Sequence, residues 1–162
     1  MKVTATVNLD NLTGVQNRMA NLKPFYEAGG EILVASIVKN FDEQGRPTRW
    51  KPLAEATLLG GAGYGGQRFK KNKSVTKGFE KQLQGKQILI TRGLLKNSIK
   101  KEATSAHALV GSNMIYADLQ NFGGKAGRGL KVFVPARKFV IAQDEDHVQL
   151  TEILRRWAVV GK

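Results

Sequence analysis

Within residues 60–87 lies a stretch that cannot help to build a core, GGAGYGGQRFKKNKSVTKGFEKQLQGK. Glycines lead it, lysines follow, and apolar side chains are sparse. Too little apolar surface is available to offset the entropy of ordering, so a long mobile loop or insertion is expected. Charge concentrates in the same region. From Arg68 to Lys101 there are eleven Lys/Arg against one acid, Glu80, which supplies most of the chain's formal net charge of +13. A surplus this local points to a binding purpose more than to a solubilising surface. Nucleic acid is the usual polyanion; an anionic membrane or an acidic protein is the other candidate, and an inert basic surface is the bland one. The remaining length, in a chain of 162 residues with 41% hydrophobic content, suits a single domain spanning 1–162 with this insertion inside it.

On either side the hydrophobic period changes. Val3, Ala5, Val7 and Leu9 alternate with polar residues, which predicts a half-buried strand. Leu12, Val15, Met19 and Leu22 then share a helical face, with Asp10 or Asn11 as cap. Pro24 suits the first turn of a second helix, and Val34, Ile37, Val38 and Phe41 have the spacing of its apolar face. Together these predict one broken helix from about 10 to 42. Gly29 and Gly30 weaken it and leave room for another backbone. Gly45 and Pro47 end it, and Pro52 forces extended geometry on the residue before it. Residues 54–59 read as a short helix. The segments KQILIT (86–91), SIKKEAT and HALVGS read as short strands of a small antiparallel sheet, with Thr91 capping the turn after the first. MIYADLQNF reads as a helical turn stopped by Gly123, residues 123–129 as a second flexible loop, and LKVFVPARKFVIA as strand on both sides of Pro135. A final helix has Asp144, Glu145 and Asp146 at its start and Arg155 and Arg156 near its end, matching the helix dipole. Leu150, Ile153, Leu154 and Trp157 form its apolar face. Helices flanking a run of strands give the class α+β.

The chemistry of an enzyme is missing. Gly61, Gly63 and Gly66 fit G-x-G-x-x-G, but no strand precedes them and no amphipathic helix follows, so a flexible loop is the better account. His107 and His147 are forty residues apart and the chain has no Cys, so no metal site is expected and each His reads as structural or exposed. No nucleophile elbow is present. Neither catalytic residues nor a cofactor are predicted. The N-terminus lacks the apolar core of a signal peptide, and no stretch approaches the roughly 18 apolar residues of a membrane span. A cytoplasmic protein without membrane partners is expected.

Five pieces do form a pattern: FDEQGRPTRWKPLAEATL, TRGLLKNSI, LVGSNMIYADLQNFGG, VPARKFV and the final helix. Their order and spacing resemble the phage virion morphogenesis family, the tail-completion proteins of Mu-like phages and their contractile-tailed relatives. The match runs through Gly45, Pro47, Trp50, Pro52, Leu53 and Thr57, then Leu94, Ser98 and Ile99. It continues at Gly111, Asn113, Tyr116, Ala117, Phe122, Gly123 and Gly124, and ends at Pro135, Ala136, Arg137 and Phe139. It covers about residues 30–155. Arg92, before Gly93, departs from the family's Thr-Gly.

The resemblance implies a structural, non-enzymatic virion protein with a tail-terminator-like fold. It would be a hexameric ring subunit that completes the tail at the neck and supports head–tail joining, assembled in the host cytoplasm. Its partners would be further copies of itself, tail-tube proteins and head-connector proteins. In this setting Gly93 provides backbone freedom for the turn, Leu94 and Leu95 pack, and Ser98 opens the next strand. Trp50, Tyr116, Phe122 and Phe139 are core aromatics or interface anchors. Arg137 either holds a carboxylate across a subunit boundary or staples a loop to a carbonyl. Arg68, Lys70, Lys71, Lys73, Lys77 and Lys81 face DNA non-specifically or face an acidic partner. The alternative function is a non-enzymatic nucleic-acid-binding protein of phage or prophage origin.

Overall fold

The structure, a computed structural model, describes residues 10–54, 57 and 76–160. The expected N-terminal strand, the glycine pattern at 61–66, most of the short helix at 54–59 and four of the basic residues (Arg68, Lys70, Lys71 and Lys73) lie outside them. The elements are α1 (Asp10–Ala20), α2 (Lys23–Asp42), α3 (Lys77–Gln84), α4 (Leu94–Asn97), β1 (Ile99–Ala103), β2 (Ala108–Ser112), α5 (Ala117–Phe122), β3 (Gly124–Ala126), a 3-10 turn (Arg128–Leu130), β4 (Val132–Val134) and α6 (Asp144–Val160). The mixture of helices with small two-stranded sheets is α+β. Two compact units emerge. One comprises 1–37, 99–111 and 140–162; the other comprises 38–98 and 112–139.

In the first unit the break between α1 and α2 falls ahead of Pro24, in the first turn of α2, where a missing N–H costs nothing. Asn21 accepts a hydrogen bond from the Lys23 N–H there. Gly29 and Gly30 are buried, but what they admit is side chains, not backbone. A Cβ on Gly29 would lie 3.0 Å from Leu150 Cδ2, and one on Gly30 would lie 3.1 Å from Lys101 Cδ. Lys101 also donates to the Glu27 carbonyl at 3.0 Å and pairs with Glu31 at 2.8 Å. The β1–β2 hairpin turns at Thr104, whose N–H donates to the His107 carbonyl.

α6 is held at both ends. Asp146 is 2% exposed; its Oδ2 accepts from Ser36 Oγ at 2.6 Å and from the Gln143 N–H at 2.8 Å. The acid therefore caps its own helix and ties it to α2, which is more than the dipole argument asked of it. At the other end the Arg18 guanidinium donates to the Ala158 carbonyl at 2.8 Å and to Val159 at 3.3 Å, where a cation suits the last turn.

The apolar face of α6 is narrower than its sequence predicts. Leu154 is exposed and Trp157 is only half-buried, with its indole N–H buried and lacking an acceptor among the described residues. An unmet donor offsets part of what the ring gains by packing. Trp157→Phe is therefore expected to stay within about 1 kcal/mol of wild type, well short of the loss from truncating a fully buried indole. Reversible thermal melts check this.

The second unit departs most from expectation. Residues 86–91 are not a strand. Leu89 takes φ 64°, and the Gln44 side-chain amide stands where a strand neighbour would be. It accepts from the Ile88 N–H and donates to the Ile88 carbonyl. Lys77–Gln84 is helix, not mobile loop, and buries Phe79 at 4% exposure. Residues 123–129 are not a free loop either. β3 pairs antiparallel with β4 in the register Gly124–Val134, Lys125–Phe133, Ala126–Val132. After Pro135 the chain is no longer strand.

An aromatic cluster forms the centre of this unit. Phe41 is fully buried, Phe139 is 1% exposed and Trp50 is 8% exposed. The Phe41 ring meets Trp50 edge-on with centroids 5.6 Å apart, and tilts against Phe139 at 5.1 Å. Around it, polar side chains replace ladder bonds. Asn40 Nδ2 donates to the Phe139 carbonyl at 3.0 Å, and Asn121 Oδ1 accepts from the Phe139 N–H at 3.0 Å. Trp50 Nε1 donates to the Lys138 carbonyl at 3.1 Å. Gly45, at φ 110°, ends α2; a Cβ there would lie 2.6 Å from the Trp50 nitrogen.

Candidate interface cleft

Four of the five motif segments converge in the second unit. Gly93 enters α4 with φ 67°, as the turn requires, but Thr91 does not cap it; no side chain does. Leu95 is buried at 3% while Leu94 is 55% exposed, so only one of the two leucines packs. Ser98 ends α4 and does not open the strand. Its hydroxyl bonds the Leu95 carbonyl at 2.7 Å and the Ser112 hydroxyl at 2.6 Å. α5 stops at Gly123, with φ 74° and ψ 175°.

Two adjoining cavities, of about 260 and 500 Å³, share Leu89, Thr91 and Gln120 in their walls. The smaller is closed by Arg92, Leu94, Leu95 and Tyr116. The larger takes Pro52, Leu53 and Thr57 from one side, and Val132 to Pro135 and Arg137 from the other. The opening stretch of the TRGLL motif, the Trp-x-Pro-Leu segment, α5 and the Pro-Ala-Arg segment thus border one cleft. Trp50 and Phe139 stand in the core behind it. Tyr116, 37% exposed, is on the rim. Phe122 is 70% exposed and lines neither cavity, so it is not a core aromatic.

The cleft is apolar with cationic edges. Lys51, Arg92 and Arg137 line it, and no Asp or Glu does among the described residues. Arg137 is only 5% exposed. Its Nε donates to the Lys51 carbonyl at 3.3 Å, the staple that the sequence left as one of two options. No carboxylate among the described residues forms an ion pair with it, and burial holds its pKa below the usual guanidinium range. Gln120, whose backbone carbonyl accepts from the Arg137 N–H at 2.9 Å, has a buried side-chain oxygen with no donor among the described residues. Sequence reasoning missed Gln120 and Leu89. One is polar within a short helix and the other sits in a left-handed turn, and neither carries a periodic signal.

Charge divides unevenly along the chain. The spans of the first unit hold eight Lys/Arg and eight Asp/Glu; those of the second hold eighteen and five. The whole surplus of +13 therefore belongs to the spans of the cleft-bearing unit. Of the candidate basic residues described, Lys77 and Lys81 are exposed on α3, away from the cleft walls. His107 and His147 are exposed, no cluster of metal-ligating side chains occurs among the described residues, and no described helix is long and apolar enough to cross a membrane.

The model of the phage virion morphogenesis family matches residues 6–158. A relative from Haemophilus influenzae, the Mu-like prophage FluMu G protein 2, is 30% identical over 149 residues, which is 90% of this chain and 87% of that protein. No solved structure shows significant similarity. With the match running almost end to end, the chain belongs to the phage virion morphogenesis family.

Proposed function

We propose that this chain is a ring-forming subunit that completes the phage tail at its head-proximal end and supports head–tail joining. The observation that carries the reading is the near-complete family match, which makes the chain a phage morphogenesis protein. The arrangement of the chain supports it. The candidate binding surface is an apolar cleft whose exposed Val132 and Phe133 suit contact with another protein. The ring partners would be copies of this chain, and its axial partners the tail tube and the head connector.

The test is a phage in which this gene is interrupted. Heads and tails are expected to accumulate unjoined, and supplying the wild-type chain should restore joining. In imaged wild-type virions the subunit should form a closed ring at the neck. Normal joining without the chain, or density elsewhere in the particle, would overturn the proposal.

The charge partition favours one additional interaction, with DNA passing through the neck. Lysine is a point charge that meets phosphate without reading bases. Lys77→Gln with Lys81→Gln should leave the melting temperature within about 1 °C, because exposed side chains on α3 contribute little to folding. The log–log salt slope of DNA binding should become shallower by about 0.9 for each phosphate no longer neutralised. An unchanged slope would remove these two lysines from any role in holding DNA. A preference for one DNA sequence of about a thousandfold would instead favour a nucleic-acid-binding regulator.

A further inference from the structure

Arg137 is a largely buried charge with few partners among the described residues. A guanidinium that is 5% exposed has lost most of its water. Such a group is ordinarily paired with a carboxylate, because an uncompensated buried charge is strongly unfavourable. Here its side chain makes one hydrogen bond among the described residues, from Nε to the Lys51 carbonyl. Arg137 also lines a cavity of about 500 Å³, together with Lys51 and the apolar run from Val132 to Pro135. Phe133 is 71% exposed and Val132 is 58% exposed, more apolar surface than an isolated hairpin gains by showing to water. The side-chain oxygen of Gln120, in the same wall, also lacks a partner among the described residues. An occupant suited to these described groups brings an anion, a hydrogen-bond donor and apolar side chains together. A sugar–phosphate backbone brings the first without the last.

We propose that the cleft receives the acidic start of α6 from a second copy of this chain, with Asp144 completing the Arg137 site and Val148 covering the apolar wall. This interface rests on the ring reading above. Charge complementarity selects the second copy and its orientation. The spans of the cleft-bearing unit carry the entire excess of +13, so a two-fold pairing of cleft against cleft would set like charge against like. The spans of the other unit are neutral overall and contain eight of the thirteen acids. On it Asp144 and Glu145 are exposed, one helical turn before Val148, which is 69% exposed. Acid and apolar group thus occur at the spacing that a cationic, apolar cleft selects. An interface between different surfaces on successive copies is heterologous, the kind that closes into rings.

Complementation by mixing provides the test. One variant, Phe133→Asp, places an acid at the cleft from an exposed position, and so should fold normally; a second, Arg137→Lys, keeps the charge and removes the fork. A third, Asp144→Asn with Val148→Lys, alters the other surface. Melting curves confirm folding, and sedimentation measures self-association. The wild-type chain should associate, and each variant should weaken association by about thirtyfold or more, as removal of one partner from a desolvated pair does. An equimolar mixture of the cleft and helix variants should form dimers and nothing larger, since each mixed pair retains one intact interface. The inference fails if the wild-type chain stays monomeric, if a folded cleft variant associates normally, or if only the helix variant does so. It also fails if mixing restores nothing. A ring at the virion neck that persists with Phe133→Asp would overturn this interface and leave the ring reading standing. Abolished duplex-DNA binding by Phe133→Asp with self-association unchanged would assign the cleft to nucleic acid.

Discussion

Phe139→Ala is expected to cost about 3–5 kcal/mol, enough to unfold most of a domain of ordinary stability. The side chain is 1% exposed and packs against Phe41, which is itself fully buried, so truncation leaves a cavity in the best-packed part of its unit. The surroundings have little freedom to collapse into it. The backbone N–H and carbonyl of residue 139 are fixed by Asn121 and Asn40, and the Phe41 ring is also held edge-on by Trp50. Phe139→Leu should recover more than half of the loss, because it restores most of the volume. Chemical denaturation with a two-state fit measures both. A loss below about 1 kcal/mol for the alanine variant would show that Phe139 is not part of a packed core.

Gly123→Ala is expected to be nearly as damaging, at about 3 kcal/mol or more, although it adds one methyl group. Its φ of 74° and ψ of 175° lie in a region open essentially to glycine alone. The new Cβ would also stand 2.6 Å from the Ala136 nitrogen and 2.9 Å from the Val134 carbonyl oxygen, both backbone atoms that cannot swing aside. Strain and collision therefore add. Gly111→Ala is the control. Nothing lies within 4 Å of its would-be Cβ, so its melting temperature should fall far less. If Gly123→Ala melted like Gly111→Ala, the close approach of α5's end to the segment around Ala136 would be wrong.

Much of this architecture was legible before the structure, for identifiable reasons. α6 announced itself by acids at one end, arginines at the other and a 3.6-residue apolar period between. The break at Pro24, the β1–β2 hairpin and the stop at Gly123 followed from local chemistry that tertiary packing had no reason to override. The failures share a different cause. KQILIT has strand composition, but Gln44, from a distant part of the chain, supplies its hydrogen bonds and Leu89 turns it aside. Lys77–Gln84 was hidden by its lysines, since one buried Phe79 is too weak a periodic signal to outvote them. The stretch from Gly123 to Gly129 has a loop's composition, but its backbone is ordered by pairing with β4, which local composition does not reveal. At the cleft, the motif residues were visible and their convergence was not. Leu94 and Phe122 proved exposed, and the contact of Arg137 with the Lys51 carbonyl joins segments 86 residues apart, which no local pattern announces.

The paired asparagines around Phe139 carry a consequence for how this segment finds its place. In an ordinary β-ladder the same bonds reappear when one strand slips by two residues, so register must be defended by side-chain pattern. Here Asn40 grips the carbonyl and Asn121 the N–H of one and the same residue, and no repeat of that pair lies two positions along. The segment is addressed by a single coordinate, as a key tooth is by its ward. An insertion or deletion between Pro135 and Phe139 would therefore find no neighbouring notch to fall into, whereas β3 and β4, joined by a plain ladder, could re-form one step away.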